Sequence, residues 1–587
     1  MVGGVAAGIL IGRKEPGGTR AGTVRRAALR CAGPGRRSRP IRHAGRRTAG
    51  HCIQPEVTPM NDNISASQVF RKPAAAGAGG VVAAQHRLAA EAGAAVLAGG
   101  GDCVDAVVAT SFAIGALEPW MSGVGGVGTM VLYRAAEQRC EVIDFGGVSP
   151  AGLDPADYPL VGDGTVADLF PWARVRGDRN LHGPGSIAVP GVVAGMDAAH
   201  RRYGRLSWRE LVQPAVARAR EGLLVDWFTT QHVAGSAAEL RRYDSAAAEF
   251  LPGGLPPAPM WGVRSPVRLP RPRYAQTLQA IADAGARDFY AGDLARTIAA
   301  EVAEAGGPLC LVDLQTYAVR VSPPLAIPYR DATVFATPEL TAGPTLAQTL
   351  RQLTGWRPDR PRPDPTAYVA YGRALQAAYR ERLADMGDAD GRRAVGAGHL
   401  TPTCTTHFSV VDGQGNLAAV TQTLLGLFGS KFVTPRTGIL MNNGIMWFDP
   451  EPGRANSLAG GRRCLSNYTP VVACTADGRT VALGASGGRR ILPAVAQLLS
   501  FAIDYRMDLD DAFHTPRIDA SEGEVLIGDA RLDPAIHAAL GAAFDYEPAR
   551  IQTLPMKFAC PSAVMRCGAV SSGATEVFHP WADAVPA

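Results

Sequence analysis

The stretch TTHFSVVDGQGNLAAVTQTL, residues 405–424, constrains this chain more than any other. Two runs of alternating β-forming residues flank Asp-Gly-Gln-Gly-Asn, the composition of a tight hairpin. If Asp412 and Asn416 close a Gly-Gln-Gly loop, Ser409 faces Ala419, His407 faces Thr421 and Thr405 faces Thr423. Two threonine hydroxyls then lie across from one another, near enough to hydrogen-bond. Such pairs are ordinary in sheets. A threonine becomes a nucleophile only when a neighbour takes its proton, and a chain-terminal threonine carries its own base in its α-amino group. That amine has an ordinary pKa of roughly 7.7–8.0, so it is substantially neutral near neutral pH. The preceding residues, MGDADGRRAVGAGHLTPTC (386–404), lack a hydrophobic period and read as exposed, a suitable place for a cut that frees such a terminus.

A chain of 587 residues is longer than one compact core usually supports, so two intimately packed parts or two domains are expected. Its net charge of +6 misleads. The first fifty residues carry twelve Arg or Lys and one acid, which leaves the remainder at −5 and gives no case for nucleic-acid binding. Residues 1–60 are read as a basic, unstructured extension outside the chemistry: a targeting segment, a tail, or an over-extended start preceding Met60. The apolar run VGGVAAGILIG has its charges behind it, the wrong order for a secretory signal. Ten scattered cysteines form no CxxC and no cluster at metal-ligand spacing. Reduced thiols, a cytoplasmic location with the periplasm as the alternative, no membrane association, and neither metal nor organic cofactor are therefore expected.

From about residue 78 the chain alternates between helical and extended patterns. VDAVVATSFAIGAL (104–117) is apolar all round and reads as a buried helix, as does ILPAVAQLLSFAI (491–503). FSVV, AAVTQTL and VALGA are strand-like. Without regular βαβ alternation, the fold class is mixed α/β in packed layers, not a doubly wound sheet.

Two other motifs compete for the chemistry. Gly123–Gly128 matches GxGxxG, but a turn precedes it and a strand follows, so close backbone packing is the better reading than a dinucleotide site. Gly484–Gly488 matches GxSxG between a strand and a helix, with Asp529, His537 and His579 downstream. A serine hydrolase using Ser486 is thus an alternative, against a Gly-rich turn whose N–H groups face a pocket.

The nucleophile-like stretch, together with GGDCVDAVVA, GVGGVGTMVLY, VPGVVAG, VQPAVARAREG, GILMNN, LSNYTP and GASGGRRI in that order, resembles the γ-glutamyltranspeptidase family of N-terminal-nucleophile hydrolases over about residues 78–587. The resemblance implies a four-layer αββα fold and self-cleavage between Cys404 and Thr405. It thereby implies a large subunit (61–404) and a small subunit of 183 residues (405–587). Thr405 would form the acyl-enzyme, Thr423 would orient it, and Gly487 and Gly488 would form the oxyanion hole. Ser466 and Asn467 match a Ser-Ser pair that lines the family's substrate site, and Arg489 could offer a cation to a substrate carboxylate. A solvent-facing or internally paired Arg489 is the other reading.

The polar residues that grip a glutamyl group in the family are replaced here by Gly146, Leu425, Gly444 and Trp447, and the Asp449–Arg462 stretch looks too short for a lid. The implied partner is a small-molecule amide other than an ordinary γ-glutamyl compound, as in the relatives that act on glutaryl cephalosporins or on oxamate. A true γ-glutamyltransferase or glutathione hydrolase is the alternative.

Overall fold

The hairpin sits at the centre of the molecule. In the computed structural model, which describes residues 69–587 apart from 166–171, 261–264, 386–403, 522–523, 551–552 and 554–555, its register is the one its sequence dictates. Thr406 pairs with Gln422, His407 with Thr421 and Ser409 with Ala419. The loop closes through Asp412 N–H to the Asn416 carbonyl (3.1 Å) and Asn416 Nδ2 to Asp412 Oδ2 (2.7 Å). The expectations for residues 1–60 and for the exposed stretch before Cys404 lie outside the described residues.

Fourteen strands make two antiparallel sheets. In chain order they are β1 (Ala75–Gly77), β2 (Gly80–Ala84), β3 (Val127–Arg134), β4 (Arg139–Phe145), β5 (Arg320–Ser322), β6 (Leu325–Tyr329) and β7 (Ala332–Ala336). Then come β8 (Thr406–Asp412), β9 (Leu417–Thr423), β10 (Val471–Thr475), β11 (Thr480–Ser486), β12 (Cys560–Cys567), β13 (Val570–Thr575) and β14 (Asp583–Pro586). The first sheet runs β14-β2-β8-β9-β3-β4-β5 and the second β1-β13-β12-β11-β10-β7-β6. Each sheet mixes strands from before and after residue 404. The two sides of that bond are therefore interleaved parts of one fold and not separable domains.

Period-two alternation fixes the layers. In the first sheet, Val82, Met130, Phe408, Val410 and Val420 point outward into a core shared with α1 (Arg87–Ala98), α2 (Cys103–Leu117), α3 (Val192–Tyr203), α4 (Trp208–Glu221) and α5 (Pro272–Ala284). Their neighbours Val81, Val131, Val411 and Ala419 point inward to meet Val472, Ala482 and Val564 of the second sheet. The second sheet's outer face packs on α6 (Gly343–Leu353), α7 (Pro365–Asp385) and α8 (Ile491–Ile503). This is the four-layer αββα arrangement. Strands covered on both faces read as near-continuous apolar runs, as the hairpin does, and helix 104–117 is apolar all round because it is enclosed on every side. No helix among the described residues is long and apolar enough to cross a membrane.

The GxGxxG segment packs backbone on backbone. A Cβ on Gly126 would lie 2.6 Å from the Thr423 carbonyl oxygen, and one on Gly128 would lie 2.3 Å from that of Thr421. These glycines let β3 close against β9. Between the sheets, a Cβ at Gly484 would fall 2.3 Å from Cε1 of His407. Gly484→Ala should therefore force the sheets apart and cost about 1–3 kcal/mol, read as a lowered urea midpoint with an unchanged slope. A midpoint equal to that of the parent protein would contradict this packing.

Candidate functional site

Side chains of β8 alternate between the helix layer and the inter-sheet layer, so Thr406 faces α2 while His407 and Ser409 face the second sheet. Thr405, immediately before β8, shares the inter-sheet side with His407. All of these residues are buried. Continuing the hairpin register by one step brings Thr405 Oγ1 to 3.4 Å from Thr423 Oγ1. Thr423 Oγ1 donates to the Cys404 carbonyl oxygen (2.7 Å), and Thr405 Oγ1 hydrogen-bonds the same carbonyl. In this uncut chain, the Cys404 carbonyl is thus polarised by one threonine while the other lies against it.

Leu425 completes the support. Its N–H donates to Thr423 Oγ1 (2.8 Å) and its carbonyl accepts from Cys404 N–H (3.3 Å). To do both it takes φ of +82°, a left-handed conformation that costs a β-unbranched residue about 1–3 kcal/mol and persists only where its surroundings impose it. Asn443 pins the next residue, accepting from Gly426 N–H at 2.8 Å and donating to the Leu181 carbonyl at 2.9 Å. Asn442 similarly ties Gly125 to Ala188. The Asn-Asn pair thus holds the loops around the threonines.

The electrostatics keep the centre uncharged. Burial pushes the Cys404 thiol up to about 12, so the residue before the threonine offers no competing thiolate. Burial lowers His407 to about 3; its Nδ1 meets Thr421 Oγ1 and its Nε2 meets Ser409 Oγ, each at 3.0 Å. A neutral imidazole locked between two hydroxyls is a structural group.

Gln85, which no sequence signal singled out, joins the two sheets here. Its Oε1 accepts from His407 N–H (2.8 Å) and its Nε2 donates to Ser486 Oγ (2.8 Å). The turn after β11 is thereby tied to the Thr405 end of β8. Gly487 and Gly488 in that turn have φ of +126° and +61°, values that glycine alone adopts freely. The candidate triad around Ser486 does not assemble. His537 hydrogen-bonds Tyr546, Asp529 holds Arg531, and His579 Nδ1 accepts from the backbone of Trp581 and Ala582.

A cavity of about 60 Å3 is lined by Asp144, Gly146, Trp447, Arg463, Ser466 and Tyr468, among others. Neither Asn467 nor Arg489 lines it. Asn467 Oδ1 accepts from Arg382 at 3.2 Å. Arg489 is buried, not solvent-facing, with its guanidinium carbon 5.6 Å from the Tyr379 ring centre. Arg463 reaches Asp144 Oδ2 (3.1 Å) and the Gly146 carbonyl (3.3 Å). A Cβ at Gly146 would meet that guanidinium at 3.4 Å and Asp144 Oδ1 at 2.9 Å. Arg463 therefore occupies the space beside Gly146, reaching it from a distant part of the sequence. Trp447 Nε1 and Tyr468 Oη are buried without a hydrogen-bond partner among the described residues.

Comparison with known proteins follows the same lines. The family model described as gamma-glutamyltranspeptidase matches residues 89–402 and 392–577. The acylase ACY 1 proenzyme of Pseudomonas sp. (strain V22) is 33% identical over 499 residues, 80% of this chain and 87% of that one. The glutathione hydrolase proenzyme of Bacillus subtilis (strain 168) is 28% identical over 491 residues, 75% and 81% of the respective chains. The crystal structure of cephalosporin acylase from Bacillus halodurans superposes with a TM-score of 0.77 at 22% identity, covering 90% of this chain and 99% of that one, which shows a shared fold.

Burial lowers His86 and His232 to about 4 and His182 and His407 to about 3. Below pH 6.5 the unfolded chain takes up protons that these folded histidines refuse, so stability falls as pH drops from about 6.5 towards 4. The urea midpoint should be clearly lower at pH 5 than at pH 7.5; an unchanged midpoint would contradict the buried, neutral histidines.

Proposed function

The chain belongs to the gamma-glutamyltranspeptidase family, whose members include proteins named as acylases and as glutathione hydrolases, and from that premise we propose that it is a self-processing threonine amidohydrolase. The observation that carries the reading is the Cys404 carbonyl held between the Thr405 and Thr423 hydroxyls. Thr405 Oγ adds to that carbonyl carbon and the C–N bond breaks, moving the acyl group from nitrogen to oxygen. Water then hydrolyses the ester, giving a Cys404 carboxylate and a Thr405 amino terminus. The large subunit then ends at Cys404, and the small subunit is 405–587.

In the processed enzyme the new amine takes the proton of its own hydroxyl, and Thr405 Oγ attacks the substrate amide. Thr423 orients the nucleophile as it oriented the scissile carbonyl. The N–H groups of Gly487 and Gly488 receive the oxyanion, each such donor being worth about 3–4 kcal/mol. Water releases the acyl group.

The acyl group belongs in the cavity beside Ser466. An α-ammonium there would find the two lining carboxylates, Asp144 and Glu339, already engaged by Arg463 and Arg320, and Trp447 where the family has a polar partner. Each unmade hydrogen bond of a buried polar group costs about 1–3 kcal/mol, and a charge costs more. The substrate is thus an amide whose acyl part carries acceptors and no ammonium, matched to the donors Trp447 Nε1 and Tyr468 Oη. The glutathione hydrolase relatives support a second reading, a γ-glutamyl enzyme with a rearranged grip.

A panel of p-nitroanilides separates the two. Glutaryl or oxamyl anilide should exceed γ-glutamyl anilide at least tenfold in kcat/KM; the reverse order would sink the substrate reading. Thr405→Ala should give a single uncut, inactive chain, and Thr423→Val should slow fragment formation about 10²–10³-fold.

A further inference from the structure

One buried acid beside the scissile bond has no role in the mechanism above. Glu118 lies directly after α2 and is wholly buried. Its Oε1 accepts from Thr406 Oγ1 at 2.8 Å, and its Oε2 is buried with no hydrogen-bond partner among the described residues. Among the described residues, the Cys404 thiol just before β8 and the Cys560 thiol at the start of β12 feel its charge, and both are pushed up by burial. Lys72 and Glu576 stand behind Cys560. A carboxylate in this position would lie buried at the negative end of α2, so the neutral acid is the favoured form. Burial accordingly raises Glu118 to about 8, although the Thr406 hydroxyl opposes the shift.

The two faces of β8 give this acid a use. Thr405 Oγ approaches the Cys404 carbonyl from the inter-sheet side, while Thr406 and Glu118 occupy the helix side. The Thr405 nitrogen lies in the backbone between them. An amide nitrogen cannot leave without gaining a proton, and the threonine hydroxyls sit on the side from which the new C–O bond forms.

We propose that Glu118 is the proton donor for self-cleavage, delivering the proton on Oε2 to the Thr405 nitrogen as the Cys404–Thr405 bond breaks. The C–O bond to Thr405 Oγ forms, the C–N bond breaks with its electron pair remaining on nitrogen, and nitrogen takes the proton from Glu118. The proton shed by the Thr405 hydroxyl on attack passes to solvent water, and the Glu118 carboxylate left after C–N scission is reprotonated from solvent, so the acyl shift consumes no net proton. One water then hydrolyses the ester. This role rests on scission at Cys404–Thr405 and adds to it the group that lets the amine depart.

The test is a pulse-labelled cell-free translation product of the full chain, chased between pH 6 and 9.5, with the rate of fragment formation read on gels. The wild-type rate should fall as pH rises through about 8, where the acid loses its proton. Glu118→Gln keeps the shape and the acceptor for Thr406 but has no proton to give. It should cut at least tenfold more slowly at pH 7, with no alkaline fall. Thr406→Val, which removes only the supporting hydrogen bond, should retain the alkaline fall.

A Glu118→Gln chain that cuts within threefold of wild type at pH 7 overturns the proposal. So does a wild-type rate that does not fall above pH 8, which needs no variant to fold. Thr405→Ala separates the levels: if that variant is cut, the scission reading itself fails, whereas an uncut Thr405→Ala beside a normal Glu118→Gln removes only the role of Glu118.

Discussion

The rest of the structure depends on a hydrogen bond from Thr423 to the carbonyl of Cys404, and that bond exists only because of a hairpin register. Side chains change face with every residue of a strand, so a slip of one position would turn Thr405 from the inter-sheet layer to the helix layer. Three features hold the register: the Asp412–Asn416 loop closure, the two-sided burial of both strands, and the glycines of the 123–128 segment that admit β9 against β3. The strained Leu425 is the cost of joining Thr423 to Cys404 through one residue.

Around that bond the fold removes charge. Cys404 and Cys560 are kept as thiols, and His407 and Glu118 are kept neutral, all chiefly by burial. Burial thus holds the groups next to the threonine pair in their neutral forms. It also leaves proton movements to a few identifiable groups. The cavity beside Ser466 follows a related rule: its cations Arg463 and Arg320 answer its acids Asp144 and Glu339, and Trp447 Nε1 and Tyr468 Oη are neutral groups with no partner among the described residues.

Much of this was legible in the residues. The Thr405–Thr423 pairing followed from loop length and period-two alternation, which are local. So did the buried helix at 104–117 and the rejection of GxGxxG as a nucleotide site. What stayed hidden depends on contacts between distant segments. Nothing near Gly146 reveals that Arg463 fills the space beside it, 317 residues away in sequence. Glu118 reads as an ordinary polar residue closing a helix, and Gln85 as a link between a strand and a helix, until the sheets stack. Arg489 carried a charge that left substrate, solvent and an internal partner all open, and only the fold shows it enclosed against Tyr379. The GxSxG turn has the right local form, and only the tertiary partners of Asp529, His537 and His579 take the triad apart.

The central claim is that a single peptide bond, the one preceding Thr405, is opened by the hydroxyl it precedes. N-terminal sequencing of the shorter fragment from active protein tests this most directly. The account predicts the sequence Thr-Thr-His-Phe-Ser, beginning at Thr405. A fragment beginning at any other residue, or activity in a chain that remains whole, would contradict it.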